Sequence, residues 1–599
     1  MKFKTKIYLL LFLTALCYIG CDDDLLDQKP IDFVSPDAFA TARDLEQALN
    51  GAYKSLTMSG IYESNTWPIY TDFMVDNGFM DKTWSGEVEF WDQSHNPNSL
   101  YSDRKWTRNY NGILRANTVL TYIDQVKDND ELQRRLKGEA LFLRALYYYD
   151  LTEFYGDVPF RVKVDGIENK DIPRTGKGVI IDHMLVDLDS AIAILPEVYD
   201  GSNKGRATKG AAMTLKARYY LNNHHYQEAA KACQDVIDLG IYSLHPDFRE
   251  LFQLSGENTT QEVIFDIQFI TNSGNDNLTG TWWTYFFAWS SYMATANLEH
   301  NYYMANGLSI EDPSSGYDSQ KPWVNRDPRL ENTLVLPFTF NGYDKNGGAK
   351  IYDPSAVGAS NFTGLRIRKY TDYLETDNDY THRNSGVNNI LMRYADVLLM
   401  RAEALVMSGS YVESEVAGLI NQVRQRPTVN MPTVESVEGT GLSAEELLEI
   451  IKHERRVEFA FEGLRIHDIK RWQEGRAAYS DGMGYKPELL TTASYRLIQH
   501  SFDSLLANGL PAEHIDAIKN LKDVKYTSQS AYFNSISNQI GQEDLELYSD
   551  LFLKYSYPAY YETYTFRTRQ FNENKGYLWP IPIEETSSNL MLGENNPGY

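Results

Sequence analysis

Residues 208–240 read TKGAAMTLKARYYLNNHHYQEAAKACQDVIDLG. Two helical patterns flank a short polar turn at 222–225. Ala217, Tyr220, Tyr226, Ala229, Cys233 and Val236 follow one another at spacings of three, six, three, four and three. Small residues at such places let two helices approach, and the aromatics fill the groove between neighbours. This is the pattern of a tetratricopeptide-like helix pair. Such a pair cannot bury its apolar face alone, so it predicts further pairs stacked beside it.

Working outward, residues 104–126 and 131–155 each predict a long helix, the second stopped by Gly156 with Pro159 beyond. GVIIDHMLVDLDSAIAILP predicts another, ended by Pro196. Residues 390–425 give a second, looser helix pair, and 446–473 is helical in pattern up to Gly463. Near the start, SPDAFATARDLEQALNGAYKSL reads as a helix capped by Ser35 or Asp37, with Pro36 in its first turn. The stretches 241–388 and 477–545 are rich in Gly, Asn, Asp and Pro and read as irregular. Structured loops of that length usually carry function. The expected fold class is therefore mostly α: a tetratricopeptide-like helix-pair scaffold, an α-α superhelix, with long irregular inserted loops.

The chain opens with Lys2, Lys4 and Lys6, then an apolar run over 7–19. That run spans about 20 Å as a helix, short of the roughly 30 Å of a hydrocarbon core. It reads as a secretory leader over 1–20. Small Gly20 precedes Cys21, which is the expected lipidation site and the start of the mature chain. Removing the leader leaves Cys21 and Cys233. With Cys21 lipidated no disulfide is available, and Cys233 is expected to be a small buried apolar residue. Asp22, Asp23 and Asp24 then begin a solvated, extended tether.

The formal charge of the 599-residue chain is -25, and loss of the three leader lysines makes it more acidic still. Nucleic acid, whose binding depends on neutralising phosphates, is excluded as a partner. The chain carries 42 tyrosines against 26 phenylalanines and 10 tryptophans. Tyr and Trp offer an apolar face with a polar tip, which suits amphipathic ligands such as sugars.

Five stretches together carry a family resemblance: ALFLRALYYYDLTEFYGDVPF, ATKGAAMTLKARYYL, ILMRYADVLLMRAEAL, ERRVEFAFEGLRIHDIKRW and the closing GYLWPIPIEETSSNLMLGENNPGY. They resemble the SusD/RagB family, surface nutrient-uptake lipoproteins of Bacteroidetes that include starch-binding proteins. The resemblance covers the mature chain from Cys21 to Tyr599, and divides it into an N-terminal helical region, 21–240, and a loop-rich C-terminal region with further helical repeats, 241–599. It implies four tetratricopeptide-like helix pairs. It also implies a lid on a SusC-like TonB-dependent outer-membrane transporter, held to the outer membrane by its lipid. Such a lid binds an oligosaccharide or polysaccharide, or a peptide in the RagB branch, and is not itself an enzyme. A repeat scaffold that binds no ligand is a further alternative. The acidic run after Cys21 resembles the signal that places such lipoproteins on the cell surface.

Catalytic and cofactor motifs are missing from the sequence. His453 and Glu454 lack the second histidine of a zinc-protease helix, because position 457 is Val457. His224 and His225 are adjacent in a turn and form no metal-site motif, DYLETDNDY lacks the glycine of a calcium loop, and no phosphate-cradling loop occurs. No metal and no cofactor is expected. Candidate ligand contacts lie in two aromatic stretches, where ring faces can take the C–H faces of sugars. They are Trp84 and Trp91, with Asp76 as a polar partner, and Trp282, Trp283 and Trp289. Arg455 and Arg456 are expected to be structural, pairing with acids such as Glu458 and Glu462 or bracing neighbouring helices. Trp579 to Pro582 is expected to be a packed, proline-stiffened strap.

Overall fold

Thr41 starts the first helix, α1 (Ala42–Ser55), with a capping box: its side chain accepts from Asp44 N, and Asp44 accepts from Thr41 N. The cap therefore lies later than the expected Ser35 or Asp37, which fall outside the described residues. The computed structural model describes residues 39–58, 60–62, 69–80, 86–164, 171–256, 260–270, 292–319, 322–337, 340–343, 349–351, 363–370, 386–485, 511–519, 538 and 563–599. The leader, Cys21 and the acidic run lie outside them, as do Trp84, Trp282, Trp283, Trp289 and the stretch DYLETDNDY.

The helices that follow are α2 (Leu100–Tyr122), α3 (Asp130–Tyr155), α4 (Lys177–Ile194), α5 (Lys209–Asn222) and α6 (Tyr226–Ile237). After the insertion come α7 (Tyr394–Met407), α8 (Glu413–Arg424), α9 (Ala444–Glu458) and α10 (Arg465–Trp472). Their ends follow local chemistry. Asn129 caps α3 by accepting from Leu132 N, Gly156 ends it at φ 74°, and Ser443 with Glu446 forms a capping box on α9. Between α5 and α6 the chain makes a Schellman turn. His225 N donates to Tyr220 O at 2.9 Å, His224 N donates to Leu221 O at 3.1 Å, and His224 holds the left-handed position at φ 63°. The adjacent histidines thus close a turn, with His224 Nδ1 2.7 Å from the Tyr226 hydroxyl.

Each helix from α1 to α6 packs on the next. α6 then packs on α7 across the insertion, and α7 meets α8 and α9. The first eight therefore form four successive pairs: α1 with α2, α3 with α4, α5 with α6, α7 with α8. Small residues set the approach, as the tetratricopeptide pattern requires. A Cβ at Gly112 of α2 would lie 2.3 Å from the Tyr147 ring of α3. That ring lies across Gly112, and its hydroxyl donates to Ala52 O on α1 at 2.6 Å. Cys233 is fully buried, as expected. One hydrophobic core runs from Ala42 to Leu592 and crosses the expected boundary at 240–241, with Val236, Phe265 and Leu398 all in it.

The strands are short and join in pairs. β1 (Gly78–Met80) pairs antiparallel with β3 (Tyr292–Ala294), β2 (Val263–Ile267) with β4 (Asn389–Arg393), and β5 (Gly482–Tyr485) with β6 (Thr563–Arg567). Residues 390–393, expected to open a helix, instead belong to β4. Their pairing with β2 takes the backbone groups, and α7 starts at Tyr394.

Buried ions tie the insertion to the scaffold. Glu458 on α9 accepts from Arg393 at 2.8 Å, from Arg426 at 2.9 Å and from Arg329 at 3.0 Å. Glu262 pairs with Arg393 and Arg426, and Glu462 with Arg393 and Lys369. Arg455 donates to Asp396 at 2.9 Å and grips Asp468 with two bonds of 3.0 Å. The expectation that Arg455 and Arg456 are structural agrees with this geometry, but the partners differ from Glu458 and Glu462. Glu458 closes α9 and faces Arg329, Arg393 and Arg426, and Glu462 lies beyond the helix and faces Arg393 and Lys369, cations that arrive from other parts of the chain. His453 Nε2 donates to Asn301 O at 2.8 Å, and its ring stacks 3.6 Å from Tyr303. Burial pushes its pKa down to about 4, so it is neutral at pH 7.

The closing strap is as predicted. Trp579 is buried with its ring centroid 4.3 Å from Phe90 and 4.4 Å from Phe154, and its backbone N–H donates to Phe154 O at 2.7 Å. Asn596 Nδ2 bridges Tyr155 O at 2.9 Å and Trp579 O at 2.7 Å. The chain end is thereby fastened to α3.

Candidate ligand-binding sites

The β1–β3 ladder pairs described residues that flank the two aromatic stretches in sequence. Its register sets Met80 opposite Tyr292 and Gly78 opposite Ala294. Trp84, Trp282, Trp283 and Trp289 themselves lie outside the described residues.

Beneath that ladder the packing is dense. Glu87 is fully buried and accepts from the Tyr101 hydroxyl at 2.9 Å and from the Tyr292 hydroxyl at 2.7 Å. Trp91, expected as a ligand contact, is instead 0% exposed. Residues 87–91 form a short helix, so Val88 and Trp91 fall on one face and pack on Phe79 and Met293. The Trp91 ring lies edge-on to Phe79 at 5.0 Å and carries the Arg569 guanidinium 3.9 Å from its centroid. Gly482 leaves the room for it, since a Cβ there would lie 2.8 Å from Trp91. Trp91 supports the ladder from below and offers no free face to a ligand.

Asp76 is corrected in the same way. It is buried, accepts two bonds from Arg465 at 3.1 and 3.0 Å, and lies 2.9 Å from Arg456. Burial alone would raise its pKa; Arg456 and Arg465 overcome this and hold it well below the usual carboxylate range. Its acceptor positions are spent inside the protein. Asp72, four residues earlier, has the opposite fate. It accepts from Asn77 at 2.7 Å and from the Gly463 and Phe461 amides at 2.8 and 3.2 Å. With no guanidinium bonded to it among these contacts, burial pushes it up to about 6.

A second feature escaped the sequence reading. A cavity of about 650 Å³ opens between the α4–α5 connection and the β2–β4 ladder. Tyr199, Tyr242, Gln261, Asp266, Gln268 and Asn388 line it. Asn388 Nδ2 donates to Asp266 Oδ2 at 2.8 Å, while Asn388 Oδ1 accepts from Phe269 N at 2.9 Å. Asp266 lies deep among protein atoms yet keeps some accessible surface, because that surface faces the cavity. Burial pushes its pKa up to about 6 against the hydrogen bonds from Asn388 and Gln268. Gly205, at φ 89°, lets the Gln268 amide lie over the backbone where a Cβ would sit 2.5 Å away. These residues come from four separated segments, and no spacing in the sequence links them.

The model of the SusD family matches residues 261–599. The chain belongs to the SusD family. A second family model, described as starch-binding and associating with the outer membrane, matches residues 24–221. Among curated SusD relatives, SusD-like protein P2 of Formosa agariphila is 27% identical over 510 residues, covering 82% of this chain and 96% of that protein. Starch-binding protein SusD of Bacteroides thetaiotaomicron is 26% identical over 420 residues, covering 63% of this chain and 71% of that one. A crystal structure of a SusD-like carbohydrate binding protein from Bacteroides fragilis superposes with a TM-score of 0.70 at 24% identity, covering 92% of this chain and 99% of that one. That likeness establishes the SusD-like fold, and the four helix pairs agree with it.

Proposed function

We propose that this chain is a surface lipoprotein that captures an oligosaccharide or polysaccharide and passes it to a SusC-like TonB-dependent outer-membrane transporter, without cleaving it. Membership of the SusD family carries this reading. Starch binding in one relative and carbohydrate binding in another support the ligand class, and the association of the second matching family with the outer membrane supports the location. The lipid on Cys21 tethers the chain there. Trp84, Trp282, Trp283 and Trp289 supply the ring faces.

The test is affinity electrophoresis of the soluble domain across a polysaccharide panel, beside the Trp282→Ala/Trp283→Ala double variant. One glycan class is expected to retard the wild type, and the double variant to lose about tenfold or more in affinity with its circular dichroism intact. Unchanged affinity would remove those two residues from the site. Failure to bind any glycan, with heat evolved from a peptide mixture, would move the ligand to peptides. In cells, Cys21→Ser is expected to shift the protein from the membrane to the soluble fraction; continued membrane fractionation would contradict the anchor.

A further inference from the structure

We infer that the cavity between the α4–α5 connection and the β2–β4 ladder is a second binding site, taking a neutral polyhydroxylated ligand such as a short oligosaccharide. Its volume of about 650 Å³ falls in the range of small-molecule sites, roughly 300–1,000 Å³. Its lining has the mixture such a ligand needs. Tyr199 and Tyr242 are half-buried rings at the walls, able to take C–H faces. The Asp266 carboxyl and the amides of Gln268, Gln261 and Asn388 supply donors and acceptors for hydroxyls, each of which both gives and accepts.

The charges around the opening argue against an ionic ligand. Lys204 and Glu197 both line it, so neither sign prevails. Arg206 is engaged elsewhere, donating to Glu139 at 2.9 Å and to Asn50 at 2.9 Å. Val198 stands at the rim with 65% of its surface exposed, an apolar contact beside the polar floor. The site shares no residue with the β1–β3 ladder and lies on the repeat scaffold. Two sites of this kind would let one chain hold two points of a long glycan, raising avidity by effective concentration without any tighter single contact. The choice of sugar as ligand class rests on the glycan-binding reading above; the cavity itself does not.

The experiment is amide hydrogen exchange on the full mature chain with saturating maltohexaose, laminarihexaose, cellohexaose or mannohexaose, each paired with calorimetry. With at least one sugar, exchange in residues 261–269 and 387–390 is expected to slow about tenfold. Val198→Trp, placed at an exposed rim position to fill the opening without disturbing the core, should abolish that protection. Asp266→Asn, of the same size, should weaken it about tenfold. Calorimetric binding with no protection there would overturn the second site alone. No heat and no protection with any of the four sugars would overturn it and count against the glycan reading as well. Protection that survives both variants would also overturn it.

Discussion

Replacing Glu458 by glutamine is expected to lower the unfolding free energy by about 3 kcal/mol at pH 7, at the low end of the cost of breaking a buried ion pair. Glu458 is fully buried, and its two oxygens accept from Arg393, Arg426 and Arg329. Glutamine keeps the volume but removes the charge and turns an N–H₂ toward guanidinium groups that can only donate. Glu262 still faces Arg393 and Arg426, and Asp327 and Glu454 still face Arg329, which keeps the cost from being larger. The pH dependence distinguishes this loss from simple misfit. Burial by itself would raise the Glu458 pKa, but Arg393, Arg426 and Arg329 hold it well below the reference value of 4.5. A depressed carboxylate contributes stability in full above its unfolded value and loses it as pH falls through the folded one. The gap between wild type and variant should therefore be widest near neutrality and narrow as pH falls below 4.5. Urea unfolding followed by circular dichroism at several pH values measures it. A gap under about 1 kcal/mol at neutral pH, or one that widens in acid, would contradict the argument.

Trp579→Ala is expected to cost about 3–5 kcal/mol, the usual range for emptying a buried aromatic site. The Trp579 ring fills the space between Phe90 and Phe154, at 4.3 and 4.4 Å. Its position also sets the strap, because Asn596 bonds both Trp579 O and Tyr155 O. Loss of the ring should loosen the closing segment before the repeats melt, so limited proteolysis is expected to cut near the C-terminus earlier than in wild type. Leu590→Ala is the control. Leu590 lies in the same segment but is 85% exposed, and its loss should change stability by less than about 0.5 kcal/mol. Equal effects from the two substitutions would show that the strap is held by something other than this aromatic contact.

The helix pairs were legible because their signals are local. Apolar spacing and the stops at Gly156 and Pro196 act within a turn or two of the residues they govern. The candidate ligand residues were less legible. Trp91 stands in a stretch rich in Gly, Asn and Asp that resembles a loop, yet five residues coil into a helix and turn its ring inward. Asp76 carries no local mark of its fate, since Arg456 and Arg465 lie far along the chain.

The amino-acid sequence alone determined the mostly helical repeat architecture, the buried Cys233, the packed Trp579 strap and the family, because periodicity and short motifs encode them directly. Only the tertiary structure decided which acid each arginine of the Glu454–Arg471 stretch meets, that Trp91 and Asp76 are interior supports, and that Tyr199, Asp266, Gln268 and Asn388 share one cavity. The physical reason is separation. Charges and hydrogen bonds act over a few ångströms in space, and the residues that meet here lie tens to hundreds of positions apart, joined by a core that no local pattern records.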